Sequence, residues 1–190
     1  NPATVLGKND SEVMTFAERA EIFFELGVDV LIYSSFDEQF KNLSKAQFVS
    51  LLRNNFNISA VVAGPDYTFG KNAEGNLNDL RDAGFKVYEC TFLTKTGEKI
   101  STTSVKKALE EGNIPLVNEL LGRRYSLTSV VVKEREIGRT IGFPTANFNI
   151  TGKKLPHNAV YDTTSYIDDK AYKSITNVGS KPTFNENKIS

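Results

Sequence analysis

Apolar and polar positions follow two rhythms along this chain. Up to about residue 122, apolar stripes at helical spacing alternate with short solid apolar runs; beyond it the period shortens toward two. Thr15 and Glu18 frame a capping box, and Phe16, Ala20, Phe23 and Phe24 follow at helical spacing up to Gly27. Ser44 and Gln47 repeat the box ahead of Phe48, Val49, Leu51 and Leu52. Residues 28–34 and 60–63 read as buried strands, rich in β-branched side chains, and 86–92 as a third strand. Residues 76–83 and 103–111 read as helices stopped by Gly84 and Gly112. Asn113 caps a last helix, with Pro115 in its first turn and Leu116, Val117, Leu120 and Leu121 along one side. Helices alternating with short apolar strands predict a parallel sheet covered on both faces.

After Gly122 the character changes. Residues 125–133, 146–150, 159–167, 171–177 and 188 onward read as strands. Thr151-Gly152, Leu155-Pro156, Asp168-Asp169 and Lys181-Pro182 supply the turns between them. Short strands at this spacing predict a small antiparallel barrel. The fold class is thus α/β followed by all-β, with a boundary near 122–124 that separates 1–122 from 123–190. No internal repeat or low-complexity linker interrupts either part.

Composition narrows the function classes. The 190 residues are 39% hydrophobic and 24% charged, enough for packed cores. Lys+Arg and Asp+Glu both number 23, and no basic run occurs, which argues against a nucleic-acid partner held by phosphate neutralisation. The longest apolar runs, such as 28–33, are too short to span a bilayer, and the start is not signal-like. Cys90 is alone, which excludes an internal disulfide and fits a reducing, cytoplasmic setting. The chain opens on Asn1-Pro2 with no Met, so a longer natural polypeptide is expected.

Three stretches could carry chemistry. In 138–147, Gly138 and Gly142 permit a sharp turn or close ligand approach, and Arg139 brings a fork suited to phosphate. Pro144 favours extended backbone, which would put Thr145 and Asn147 on one face as hard oxygen donors for Mg²⁺. The plain alternative is a glycine-rich turn entering a strand. Residues 64–71 follow a strand, where open parallel sheets bind ligands; Asp66, Tyr67, Phe69, Gly70 and Lys71 could hold a ring and a phosphate. Alternatively this is a solvated loop with inward-packed aromatics. Ser101, Thr102, Thr103 and Ser104 open a helix with Lys106 one turn in, an anion site or an ordinary cap.

These stretches resemble known families. Residues 138–147, GRTIGFPTAN, closely resemble the GRxxGFPTAN signature of riboflavin kinases. LPHNAVY at 155–161 looks like their PxGVY segment, and NVGSKPTF at 177–184 like NxGxxPTF. Residues 64–70 resemble the GxDFxFG loop of bacterial FAD synthetases, with Tyr67 for Phe. Residues 100–106 resemble their ISSTxIR motif, with Thr102 for Ser and Lys106 for Arg. The resemblance implies a partial Rossmann-like nucleotidyltransferase domain and a Greek-key β-barrel. It implies ATP-dependent phosphorylation of riboflavin to FMN and adenylylation of FMN to FAD. Gly138, Arg139 and Gly142 would wrap ATP phosphates, and Thr145 and Asn147 would hold Mg²⁺. Ser101, Thr102, Thr103 and Lys106 would take ATP phosphates in the second reaction, and Asp66, Tyr67, Phe69 and Gly70 would lie near the flavin. The family's HxGH pair has no counterpart here, since the chain has one histidine, His157, read as a surface turn residue. The family's catalytic glutamate is expected just after Ser190; Glu186 is close in sequence but is not assigned the role. Two other outcomes are a kinase with a degenerate first domain and a non-catalytic flavin or nucleotide sensor.

Overall fold

The computed structural model describes residues 11–132 and 145–179. In chain order they form α1 (Phe16–Glu25), α2 (Glu38–Lys41), α3 (Lys45–Asn54), β1 (Ala60–Ala63), a 3₁₀ turn (Lys71–Ala73), α4 (Leu77–Asp82), β2 (Lys86–Glu89), β3 (Thr94–Lys95) and β4 (Glu98–Lys99). Then come α5 (Thr102–Glu110), α6 (Ile114–Leu121), β5 (Val131–Val132), β6 (Asn147–Phe148), β7 (Ala159–Ile167) and β8 (Lys170–Val178). They pack as two compact units. One holds residues 27–100; the other holds 11–26 together with the described residues from 101 onward.

The first unit is built on a parallel pair, with Ala60 opposite Lys86 and Ala63 opposite Glu89. The connection between its strands carries α4, as a parallel crossover requires. Phe69, Leu77, Leu80 and Phe85 are its buried centre, with Phe48, Leu52, Val61 and Val87 packed around them. Strand alternation puts Val61 and Val87 inward, while Val62 and Tyr88 stay exposed at 66% and 48%. Among the described residues the sheet is therefore covered on one face, not two as the pattern predicted. The expected strand at 28–34 is also absent: the segment has no ladder, and Val30 and Ile32 are 73% and 58% exposed. A strand exists only through a neighbour, and β1 and β2 pair only with each other among the described residues.

In the second unit Val13, Val105, Ala108, Leu109 and Val117 form the buried centre, flanked by Met14, Leu116, Leu120 and Tyr125. α5 and α6 make a tight helical hairpin that turns at Gly112. β7 and β8 are a nine-residue antiparallel ribbon, from Ala159 opposite Val178 to Ile167 opposite Lys170. Asp168 and Asp169 take φ of 47° and 62°, the left-handed pair that a two-residue hairpin turn needs. The closed barrel is not seen among the described residues, which hold four separate two-stranded sheets. A barrel needs two neighbours per strand, and here β5 pairs only with β6 and β7 only with β8. The strand expected at 125–133 shrinks to Val131–Val132 and the one at 146–150 to Asn147–Phe148. The strand expected from 188 onward lies outside the described residues. The packing units also depart from a boundary near 122, because the apolar sides of α5 and α6 pack with Val13, Met14 and Tyr125.

Candidate functional site

The start of α5 is set by a reciprocal cap. Ser101 Oγ accepts the Ser104 N–H at 3.2 Å, and Ser104 Oγ accepts the Ser101 N–H at 2.9 Å. Serine thus takes the place usually held by Glu or Gln, and no negative charge sits at the helix start. Thr102 and Thr103 are the first two helical residues and are exposed. Val105, Ala108 and Leu109 are buried and fix the helix below them, with half-buried Lys106 one turn in. Exposed hydroxyls, a dipole of roughly half a positive charge and a lysine together suit an anion.

Residues 64–70 leave the end of β1 and divide by burial. Asp66 is exposed and pairs with Lys99 of β4 at 2.6 Å; the Lys99 ammonium also lies 3.7 Å from the Phe92 ring centre. The hydrogen bond from Lys99 holds the Asp66 carboxyl below the usual carboxylate range. Phe69 is buried and stacks on Phe48 with ring centres 5.0 Å apart, and half-buried Tyr67 leans on it at 6.0 Å. Burial pushes the Tyr67 hydroxyl up. Gly70 has φ of 76°, and a Cβ there would meet the Lys45 backbone nitrogen at 2.9 Å, so only glycine fits. Asp66 faces solvent and Tyr67 is half-buried, whereas Phe69 serves the core.

Asn147 is half-buried on β6 opposite Val132, and Thr145 is exposed just before it. Gly138, Arg139 and Gly142 lie outside the described residues. A hydroxyl and an amide are neutral, hard oxygen donors, so this pair fits Mg²⁺ that draws its other ligands from water and phosphate. Among the described residues no cluster of three His, Cys, Asp or Glu offers a cation a fuller protein cage. His157 is exposed, its N–H donates to the Leu109 carbonyl at 2.8 Å, and its carbonyl accepts the Tyr161 hydroxyl at 2.6 Å. It fastens a turn through its backbone.

The sequence reading missed a buried cluster at the root of β5 and β6. Lys153 is buried with its side chain only 2% exposed, its ammonium paired with Glu18 and donating to the Ser126 carbonyl at 2.8 Å. The Tyr125 ring lies 5.6 Å from that ammonium, and its hydroxyl donates to the Lys154 carbonyl at 2.5 Å. Burial pushes the Tyr125 hydroxyl well above its usual range, with the Glu18 charge adding to it. No sequence rhythm pairs positions 135 residues apart.

The comparisons with known proteins divide the chain in two. The FAD synthetase family profile matches residues 1–104, and the riboflavin kinase profile matches 121–190. The bifunctional riboflavin kinase/FMN adenylyltransferase of Bacillus subtilis (strain 168) is 34% identical over 193 residues, covering 98% of this chain and 61% of that protein. The protein of the same name from Buchnera aphidicola subsp. Acyrthosiphon pisum is 35% identical, covering 96% and 61%. A crystal structure titled macrolide-efflux protein from Streptococcus pneumoniae aligns with a TM-score of 0.83 and 30% identity, over 93% of this chain and 59% of that one. The chain therefore spans about three-fifths of these relatives.

Proposed function

We propose that this chain, which belongs to the FAD synthetase family, makes flavin cofactors in two ATP-dependent steps. In the first, a riboflavin hydroxyl attacks the terminal phosphorus of ATP, giving FMN and ADP. In the second, an FMN phosphate oxygen attacks the α-phosphorus of ATP, giving FAD and pyrophosphate. The observation that carries this reading is the succession of the two family matches, 1–104 then 121–190, on one chain.

Each role follows from the chemistry of its residues. Thr145 and Asn147 hold Mg²⁺, which supplies charge neutralisation and orientation of the phosphates. Gly138, Arg139 and Gly142 wrap the same nucleotide, the guanidinium reading phosphate oxygens in pairs. Ser101, Thr102, Thr103 and Lys106 receive ATP phosphates for the second step at the start of α5; lysine here gives a point charge rather than a fork. Asp66, Tyr67, Phe69 and Gly70 would frame the flavin, with Phe69 as the core residue that fixes the loop. By this reading 1–122 serves adenylylation, with a Rossmann-like fold supported by the β1–α4–β2 unit, and 123–190 serves the kinase step as an antiparallel barrel. The partners are riboflavin, FMN and ATP, with neither nucleic acid nor membrane, and the setting is the cytoplasm. No described helix is long and apolar enough to cross a membrane.

The test is to incubate the full-length natural protein with riboflavin and Mg·ATP and to separate FMN from FAD. Both products are expected. A Thr145→Ala/Asn147→Ala variant should lose most FMN formation while keeping its fold, because Thr145 is exposed and Asn147 is only half-buried, outside the buried cores. A near-normal rate in that variant would overturn the metal assignment.

A further inference from the structure

We propose that Glu18, Lys153 and Tyr125 form a positioning cluster that holds the β5–β6 pair in place, and with it Thr145 and Asn147. What the pair does rests on the kinase reading above; how it is held does not.

The β5–β6 ladder has only two residue pairs, Val131–Phe148 and Val132–Asn147. Two-stranded pairing this short does not fix itself in water. Its rigidity must come from the segments that lead into it, and these are tied across three times. Lys153 Nζ donates to the Ser126 carbonyl at 2.8 Å. The Tyr125 hydroxyl donates to the Lys154 carbonyl at 2.5 Å. Farther along, Ser129 Oγ donates to the Asn149 carbonyl at 3.4 Å. Each tie joins the segment before β5 to the segment after β6.

The central tie depends on a partner. An ammonium buried as deeply as that of Lys153 needs a countercharge, and Glu18 supplies it. Glu18 is itself held: its other carboxylate oxygen accepts the Thr15 N–H at 2.8 Å inside the α1 capping box. Beside it the Glu12 N–H donates to the Gly152 carbonyl at 2.8 Å, and the Lys154 N–H to the Glu12 carbonyl at 2.7 Å. The start of α1 is thus laced to residues 152–154 by backbone and by charge. Glu18 lies in the stretch matched by the FAD synthetase profile, and Asn147 in that matched by the riboflavin kinase profile. A residue of the first family segment therefore positions the metal-side strand of the second. In this chain the kinase geometry is not a property of 123–190 alone.

Glu18→Gln in the full-length natural protein tests this, since the amide keeps the capping contact and loses the countercharge. Amide hydrogen exchange at Val131, Val132, Asn147 and Phe148 should speed up at least tenfold without ligands, while Leu80 in the other unit keeps its rate. In FMN formation, the Mg²⁺ concentration giving half the maximal rate should rise about tenfold. A mere loss of folded protein would lower the maximal rate and leave that concentration alone. Lys153→Arg, which keeps the charge, should stay near wild type in both readouts. If Glu18→Gln fails to fold, Glu18→Leu/Lys153→Met removes both charges at similar volume, and the same four amides should still exchange faster because Ser126 has lost its donor. Wild-type exchange in a folded Glu18→Gln, or in the double variant, overturns the proposal. If the wild type makes no FMN, the kinase reading fails, and the exchange results decide the cluster by themselves.

Discussion

Two lysine–carboxylate pairs of the same chemistry sit in opposite surroundings, one in each unit. Lys153 and Glu18 have side chains only 2% and 13% exposed. Lys99 and Asp66, bonded at 2.6 Å, remain 45% and 63% exposed. A short distance says little about strength, because solvent screens the second pair and has been stripped from the first. Breaking the buried pair is costly mainly because either member alone would be a charge without water. The exposed pair sets only the preferred position of the 64–70 loop relative to the β3–β4 hairpin.

The sharpest way to separate the pairs is to break each. Lys153→Met leaves the Glu18 carboxylate enclosed without a cation and should cost about 3–5 kcal/mol of stability in the unit that contains it. Denaturant titration of the full chain measures this, and a shift no larger than that of an average surface variant would refute the contrast. Acid gives an intermediate effect. Desolvation alone would raise the Glu18 carboxyl, but its bond to Lys153 and the Thr15 N–H bring it below the ordinary range. A depressed carboxyl lends stability that is complete above its unfolded value of about 4.3 and is lost as pH falls through the folded value. Between pH 6 and 3 the melting temperature should therefore drop more steeply in the wild type than in Glu18→Gln. Asp66→Asn should move the melting temperature least of all, and added salt should erase the difference that remains. A salt-resistant loss there would show that the pair is shielded in solution.

What was legible in the sequence was local. The Thr15–Glu18 and Ser44–Gln47 boxes form as read, Asn113 caps its helix, and Ala60–Ala63 and Ala159–Ile167 are strands as read. The caps are decided within a few residues by hydrogen bonds a side chain can make to its own backbone, while the two strands also found partners at hand. The segment 28–34 misled because β-branched content makes a strand only when another strand is at hand. Both readings of the 64–71 loop stood open, since the spacing of a loop motif does not reveal which ring turns inward; Phe69 is the buried one. The Lys153–Glu18 pair was invisible because its partners are 135 residues apart and each looks ordinary where it stands.

That separation has a consequence in time. On a ribosome adding roughly 5–20 residues per second, α1 is made on the order of 10 s before Lys153 exists. Through that interval Glu18 has only its own cap, and Val13 and Met14 just ahead of α1 have none of the later helices they pack with. Meanwhile residues 27–100 can complete their own core, since all of its members lie within that stretch. The unit that α1 belongs to draws on residues from both sides of 27–100, so it can close only after that stretch has been made.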